Sequence, residues 1–186
     1  MSFKDAVRVG LDGYLTGLHR ALDGLTPEEL RWQPSPTSNH ITWIVWHMAR
    51  AEDKIIARAG DLYSVWVDGD WATRLGFGEG ADNSGGGWTI EQVTAMPDVS
   101  MELLLEYFSA VRDRTMAEFE KSTDADMARV YEPYPERKIT GAGIWGHVIV
   151  EESRHLGEIA LIRGMQRGLE GADRAAREAM RAMRRT

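Results

Sequence analysis

Residues 146–164, GHVIVEESRHLGEIALIRG, read as one long helix that carries polar groups on a face expected to be buried. His147, Glu151 and His155 follow one another at intervals of four residues, so they share one stripe of this helix. Apolar side chains flank the stripe at Ile144, Val148 and Ile159. A carboxylate on a buried face is costly unless it is paired or binds a metal ion. The stripe is therefore a candidate metal site.

A metal ion at this stripe needs ligands from more than one helix. His147 and His155 are about 12 Å apart along the axis, so one ion takes either His147 with Glu151 or Glu151 with His155. His47 lies within an apolar run of another predicted helix, and His40 lies one heptad earlier on roughly the same face. Two imidazoles and one carboxylate suit Zn²⁺ or another first-row divalent ion, with a position open for water or substrate.

Apolar side chains at helical spacing predict four long helices, over residues 3–23, 40–59, 99–121 and 140–167. Strand signals are weak throughout the chain. We therefore expect an all-α fold, a four-helix bundle with additional short helices over residues 1–168. A C-terminal tail helix over residues 169–186 is expected to pack on the bundle or on a partner.

Capping signals mark the connections around the first two long helices. Thr26 and Glu29 form a capping box, which predicts that a short helix begins there, before the second long helix. Ser38 or Asn39 is expected to cap the second long helix. EPYPERKIT, at 132–140, is interpreted as a connector.

The connection over residues 61–98 is long for a helix bundle, and such segments are usually functional or cover a site. Its glycine-rich part, DNSGGGWT at 82–89, is predicted to be a flexible loop, and one or two helical turns are expected over 89–96. Trp71 and Trp88 lie in this connection, which we interpret as a candidate lid.

Composition limits the class of protein. With 186 residues, of which 43% are hydrophobic and 27% charged, the chain is ordinary for one globular domain. The apolar run at 41–46 is far too short to span a bilayer, and the N-terminus lacks the apolar segment of a signal peptide. The absence of cysteine excludes disulfides and thiolate ligands. We expect a cytoplasmic protein with no membrane partner.

Charge limits the partners. A net charge of −7 argues against nucleic acid, whose phosphates need a basic surface. The basic tail at 172–186 is interpreted as a solvated amphipathic helix with arginines near its C-terminal end. We expect a small-molecule substrate, and a homodimer is the favoured assembly. The tryptophans either belong to the hydrophobic core or line a small-molecule pocket. The candidates for the pocket are Trp43, Trp46, Trp71, Trp88 and Trp145.

Two helices of the chain resemble a known family. HVIVEESRHLGEIALIRG resembles the final helix of the DinB-like superfamily, most closely its DUF664 branch and the N-terminal domain of mycothiol-dependent maleylpyruvate isomerase. TSNHITWIVWHMARAED resembles the second helix of that family, and LTPEELRWQPSPTSN is similar to the linker before it. The resemblance spans residues 3–168, although only the two histidine-bearing helices are distinctive.

The resemblance implies that His47, Glu151 and His155 ligate a divalent metal, with zinc expected first and nickel second. The remaining positions would lie beside the ligands or line the pocket: His40, His147, Trp43, Trp46 and Trp71. The DUF664 pattern often continues with Gly-His after the ligand histidine, whereas this chain has Gly157-Glu158. This departure is expected to leave the ligands untouched and to alter the pocket or the substrate.

The resemblance also implies a chemistry. We expect a metal-dependent thiol transferase or isomerase that uses a low-molecular-weight thiol, such as mycothiol, as cosubstrate. A metal-dependent hydrolase is an alternative, because the same open position would activate water. A non-catalytic, stress-associated bundle stabilised by metal is another alternative. It would have a closed site, with His40 or His147 as the fourth ligand.

Overall fold

The computed structural model describes residues 2–78 and 83–168, and its long elements are helices. In chain order the elements are α1 (Phe3–Leu22), α2 (Pro27–Arg31), α3 (Ile41–Gly60), α4 (Val65–Asp68), α5 (Trp71–Arg74), α6 (Ile90–Thr94), α7 (Met101–Lys121), α8 (Asp124–Ala128), β1 (Val130–Tyr134), β2 (Arg137–Thr140) and α9 (Gly141–Arg167). None of these helices is long and apolar enough to cross a membrane. The predicted tail helix over residues 169–186 lies outside the described residues.

Four of these helices form a bundle, which confirms the predicted all-α class. α1 packs against α9, and α3 packs against both α7 and α9. One hydrophobic core joins the four helices, and its fully buried members include Leu11, Ile44, Leu104 and Ile159. Because α3 contacts α9 directly, the two histidine-bearing helices face each other across this core.

The helix starts agree only partly with the sequence signals. The capping box of Thr26 and Glu29 is present at α2, as predicted. The prediction that Ser38 or Asn39 caps α3 is wrong, because His40 is the N-cap and its Nδ1 accepts the backbone N–H of Trp43 at 3.1 Å. An imidazole replaces the usual short polar side chain, and burial lowers the pKa of His40 to about 4, which keeps Nδ1 an acceptor.

A β-hairpin replaces the predicted connector between α8 and α9. β1 and β2 pair antiparallel, with Val130 opposite Thr140 and Tyr131 opposite Ile139. These paired residues are β-branched or aromatic, which suits a strand. The register is irregular between Tyr131 and Tyr134. The strands are short and interrupted by proline and charge, so the sequence carried little strand signal.

In its described residues, 61–78 and 83–98, the long connection after α3 packs against the bundle. The carboxylate of Asp53 accepts the backbone N–H groups of Val65 and Trp66 at 2.8 and 2.9 Å, which ties the start of α4 to α3. Trp46 of α3 stacks on Phe77 and lies against Trp88, with ring centroids 4.9 and 4.8 Å apart. Hydrogen bonds to Asp53 therefore hold the start of this connection on α3, and aromatic packing on Trp46 holds its middle.

Candidate metal centre

α3 and α9 bring three nitrogen and oxygen donors together. One donor atom from each of His47, Glu151 and His155 lies within 4.8 Å of the others. Glu151 Oε1 is 3.6 Å from His47 Nε2 and 3.2 Å from His155 Nε2. We call these three residues the donor cluster. Of the two pairings that the spacing on α9 left open, the structure assembles Glu151 with His155.

A backbone carbonyl of the long connection fixes the imidazole of His47. Its Nδ1 donates to the carbonyl oxygen of Ser84, so Nε2 is the nitrogen that faces Glu151. The ring of Trp43 lies parallel to the imidazole, with centroids 4.9 Å apart and 3° between the planes. His47 is therefore held on one side by Ser84 and on its face by Trp43.

Glu158 fixes the second imidazole. Nδ1 of His155 lies 2.9 Å from Oε2 of Glu158, which leaves Nε2 directed at Glu151. A carboxylate that orients a ligating histidine in this way is a usual companion of metal sites. The expectation that Gly157-Glu158 leaves the ligands untouched is thus wrong, since Glu158 contacts a member of the donor cluster.

The donor cluster is electrostatically polarised. The hydrogen bond from His155, together with the nearby imidazole of His47, holds the pKa of Glu151 well below its ordinary value. Burial lowers the pKa of His155, but its hydrogen bonds to Glu151 and Glu158 outweigh burial and raise the pKa to about 9. Arg154 Nη2 is 2.8 Å from both carboxylate oxygens of Glu151. The carboxylate is therefore neutralised by a proton on His155 and by an exposed guanidinium.

The residues expected around the cluster have different roles. His40 caps α3, and its Nε2 is 3.4 Å from the carbonyl oxygen of Val93, so both ring nitrogens are engaged away from the cluster. His147 precedes Glu151 by one helical turn, and its Nδ1 is 3.4 Å from Nη2 of Arg137. Burial lowers the pKa of His147. Neither histidine joins the donor cluster.

One of the candidate tryptophans contacts the donor cluster, and the others pack in the hydrophobic core. Trp43 contacts the donor cluster, whereas Trp46 is buried among Trp66, Phe77 and Trp88. Trp71 packs against Tyr107, with ring centroids 5.2 Å apart. Trp145 packs against Phe119 at 4.9 Å. Only Trp43 therefore lines the cluster among the tryptophan contacts of the described residues.

The sequence reasoning missed the loop residues that complete the site. Gly85 has a φ of +82°, and a Cβ there would lie 2.7 Å from a ring carbon of Trp46 and 2.9 Å from one of Trp43. Only glycine fits this backbone against the two rings, and the preceding Ser84 carbonyl then reaches His47. The run of glycines at 85–87 is the signal that marks such an approach.

The donor set fits a divalent metal ion. Two imidazole nitrogens and one carboxylate oxygen are ligands that Zn²⁺ and other first-row ions accept. In the part of the chain that the structure describes, the group holds three residues and no fourth histidine or carboxylate. Three protein ligands are the number found in catalytic zinc sites, where water or substrate takes the remaining position.

Comparison with known proteins agrees with this architecture. A model of the DinB superfamily matches residues 14–159. A crystal structure described as a conserved protein from Enterococcus faecalis superposes with a TM-score of 0.77 at 19% identity, covering 88% of this chain and 96% of that one. Curated proteins gave no match. The family match takes in both histidine-bearing helices and most of the bundle, as the resemblance predicted. The chain belongs to the DinB superfamily.

Proposed function

We propose that this protein binds a divalent metal ion through the donor cluster and is a thiol-dependent transferase or isomerase. Zinc is the first candidate for the metal and nickel the second. The observation that carries the proposal is the convergence of three ligand atoms from two helices. The branch of the superfamily that the sequence resembles most closely, DUF664 and mycothiol-dependent isomerase, supports the thiol.

The surroundings of the cluster support an open, reactive site. A bound metal ion would lower the pKa of a thiol or of water at its open position. The chain has no cysteine, so the thiol has to come from a small cosubstrate. His40 is engaged at the start of α3, which disfavours a closed site with His40 as the fourth ligand.

The protein's own residues orient and shield the ligands. Ser84 and Glu158 each engage the outer nitrogen of one imidazole, which keeps both Nε2 atoms on the inner side. Trp43 covers one face of His47 and excludes water from it. Arg154 pairs with Glu151 from the exposed side of the cluster.

Metal content and thiol binding test the proposal. We expect about one metal ion per chain by elemental analysis of protein purified without chelator, from the ligand number that zinc sites require. His155→Ala should lose this metal, whereas His19→Ala, on the exposed face of α1, should keep it. Cobalt-loaded protein should then show a thiolate-to-cobalt absorption band with mycothiol or glutathione.

Other results would contradict either the metal site or the thiol chemistry. Metal retained in His155→Ala would contradict the site. Metal without any thiol response would contradict thiol chemistry and leave the hydrolase or the metal-stabilised bundle. Hydrolysis of activated esters by the zinc-loaded protein, lost in His155→Ala, would then separate those two.

A further inference from the structure

Two arginines near the donor cluster carry positive charge that the described residues do not neutralise. Arg58 lies near the end of α3, and Arg137 begins β2. We propose that this arginine pair binds a carboxylate of the small molecule that reacts at the donor cluster. The inference rests on the proposed function and adds the chemical class of its substrate.

The hairpin brings the two guanidiniums to one aromatic ring. Arg58 Cζ is 4.9 Å from the centroid of the Tyr134 ring, and Arg137 Cζ is 5.8 Å from it. Arg58 also donates to the carbonyl oxygen of Pro133 at 3.2 Å. Both guanidiniums thus contact one ring, and the two positive charges in this part of the surface would attract an anion.

Arg137 connects the arginine pair to the end of the donor cluster that lies on α9. Arg137 Nη2 is 3.4 Å from Nδ1 of His147, which lies one turn of α9, about 6 Å, before Glu151. On α3, His47 and Arg58 are eleven residues apart and share a face. Arg137 is therefore about one helical turn from Glu151, whereas Arg58 is about three turns along α3 from His47.

Several other arginines of the described residues are paired with carboxylates. Such ion pairs join Arg8 to Glu120, Arg74 to Glu106, Arg112 to Glu52, Arg114 to Asp68, Arg154 to Glu151 and Arg167 to Glu29. Across residues 2–78 and 83–168, neither Arg58 nor Arg137 has a carboxylate partner, and both are exposed. In a chain of net charge −7, two guanidiniums without a carboxylate partner on one aromatic ring support a binding role for an anion.

A carboxylate is the ligand that suits the pair. The planar guanidinium presents N–H donors in a fork that matches the two oxygens of a carboxylate. The arginine pair lies a helical turn or more from the donor cluster, so the reacting group and the carboxylate must be separated by several bonds. A small organic acid, reacting at one end and anchored at the other, has this form.

Matched acids and esters test the subsite. The probes are mercaptopropionate, mercaptobutyrate and mercaptohexanoate with their methyl esters, added to cobalt-loaded protein and followed by the absorption of the cobalt. For at least one chain length we expect the acid to bind about tenfold more tightly than its ester, from charge-assisted hydrogen bonds. Arg58→Gln/Arg137→Gln should abolish this preference and leave ester binding unchanged.

Arg74→Gln is the matched control. Arg74 is also exposed and stacked on an aromatic ring, with Cζ 3.5 Å from the Trp71 ring centroid, but it is paired with Glu106. This variant should keep the acid preference of the wild type. A preference that survives in the double variant, or equal binding of acid and ester in the wild type, would overturn the subsite.

The test also separates this inference from the proposed function. If neither acids nor esters change the cobalt spectrum, thiol binding is wrong whatever the arginines do. Isothermal titration of the same protein with glutarate and dimethyl glutarate then judges the arginine pair alone. Tighter binding of glutarate, lost in the double variant, would support the subsite, and equal binding of the two would overturn it.

Discussion

Glu151 and Glu152 are neighbours on α9, yet they lie in opposite environments. Glu152 is fully buried, and burial, reinforced by the charge of Glu52, raises its pKa well above the ordinary value. Glu151 is half-buried between two imidazoles, which hold its pKa well below that value. One helix therefore presents one carboxylate to the bundle core and the next to the donor cluster.

The core side has a fixed cation. Oε2 of Glu52 accepts from the Tyr14 hydroxyl at 2.8 Å and from Arg112 Nη2 at 2.6 Å. With Glu152, these charged groups form what we call the core ion cluster: Glu52, Arg112 and Glu152. Burial raises the pKa of Glu52 to about 8 and lowers the pKa of Arg112 to about 10. On the core side, the negative charge is therefore balanced by a side chain of the protein itself, which no ligand can replace.

The donor side is neutralised by groups that a metal ion can replace. The positive charge there is a proton on His155 and the exposed guanidinium of Arg154. Metal binding displaces such protons from ligating histidines. We therefore expect a carboxylate with exchangeable partners, such as Glu151, to be a candidate metal ligand, and one with a fixed buried cation, such as Glu52, to be structural.

Removing the two arginines should give the largest contrast. Arg112→Ala removes the buried cation from a site that holds two carboxyl groups, and we expect it to lower the free energy of unfolding by about 3–5 kcal/mol. Arg154→Ala removes an exposed partner and should cost less than about 1 kcal/mol. Urea unfolding of the metal-free proteins measures both. Equal losses would break the distinction between fixed and exchangeable partners.

A glycine pair tests how the long connection supports the donor cluster. Gly85 and Gly87 have φ values of +82° and +81°, but only a Cβ at Gly85 meets other atoms, those of Trp43 and Trp46. We expect Gly87→Ala to cost about 1–2 kcal/mol from backbone strain, and Gly85→Ala about 1–3 kcal/mol more from overpacking. Thermal unfolding measures both losses.

The metal affinities of Gly85→Ala and Gly87→Ala should also differ. Gly85→Ala should also weaken metal binding, because it displaces the carbonyl of Ser84 that orients His47. Gly87→Ala should bind metal as the wild type does. Identical metal affinities in the two variants would show that the loop does not support the cluster.

A substitution of Glu158 tests whether its carboxylate supports metal binding by the donor cluster. Glu158→Gln keeps the shape of the side chain but removes the charge that orients His155, so we expect metal affinity to fall about 10–100-fold. Competition with a chromogenic chelator measures the affinity. Glu120→Gln, which removes an exposed carboxylate paired with Arg8, is the control and should bind metal normally. An unchanged affinity in Glu158→Gln would contradict the role of Glu158.

The core ion cluster should show itself in the pH dependence of stability. The pKa of Glu52 is about 8 in the folded protein against an ordinary 4.5, so the folded state binds this proton more tightly. Its contribution is fully present below pH 4.5 and is lost as the pH rises towards 8.

Glu52→Gln isolates this effect, because its amide imitates the protonated acid. The stability of the wild type relative to Glu52→Gln should fall by about 3 kcal/mol between pH 5 and pH 8, measured by urea unfolding of metal-free protein. A relative stability that rises with pH would mean that Glu52 is ionised in the fold.

The helices were accessible to sequence reasoning because they depend on spacing, whereas the set of His47, Glu151 and His155 was implied by the family resemblance. The interval of four residues placed Glu151 beside His155, and the apolar run around His47 placed it on the core side of α3. The DinB resemblance and the all-α class are confirmed on this basis.

The remaining features depend on contacts between distant parts of the chain. The Ser84 carbonyl acts through backbone, which carries no side-chain signal, and His40 caps a helix with a residue type that rarely does so. The hairpin around Tyr134 is too short for its pattern to stand out. Its position beside His147 follows only from how β2 leads into α9.

The two neighbouring glutamates provide the most direct test of the account. Metal affinity is measured by chelator competition for wild type, Glu151→Gln and Glu152→Gln, with helix content checked by circular dichroism. We predict that Glu151→Gln loses at least about 100-fold in affinity, the size expected for a direct ligand, because even outer partners cost 10–100-fold. Glu152→Gln should bind as the wild type does. Equal affinities in the two folded variants, or a larger loss in Glu152→Gln, would contradict the assignment of the donor cluster as a metal site.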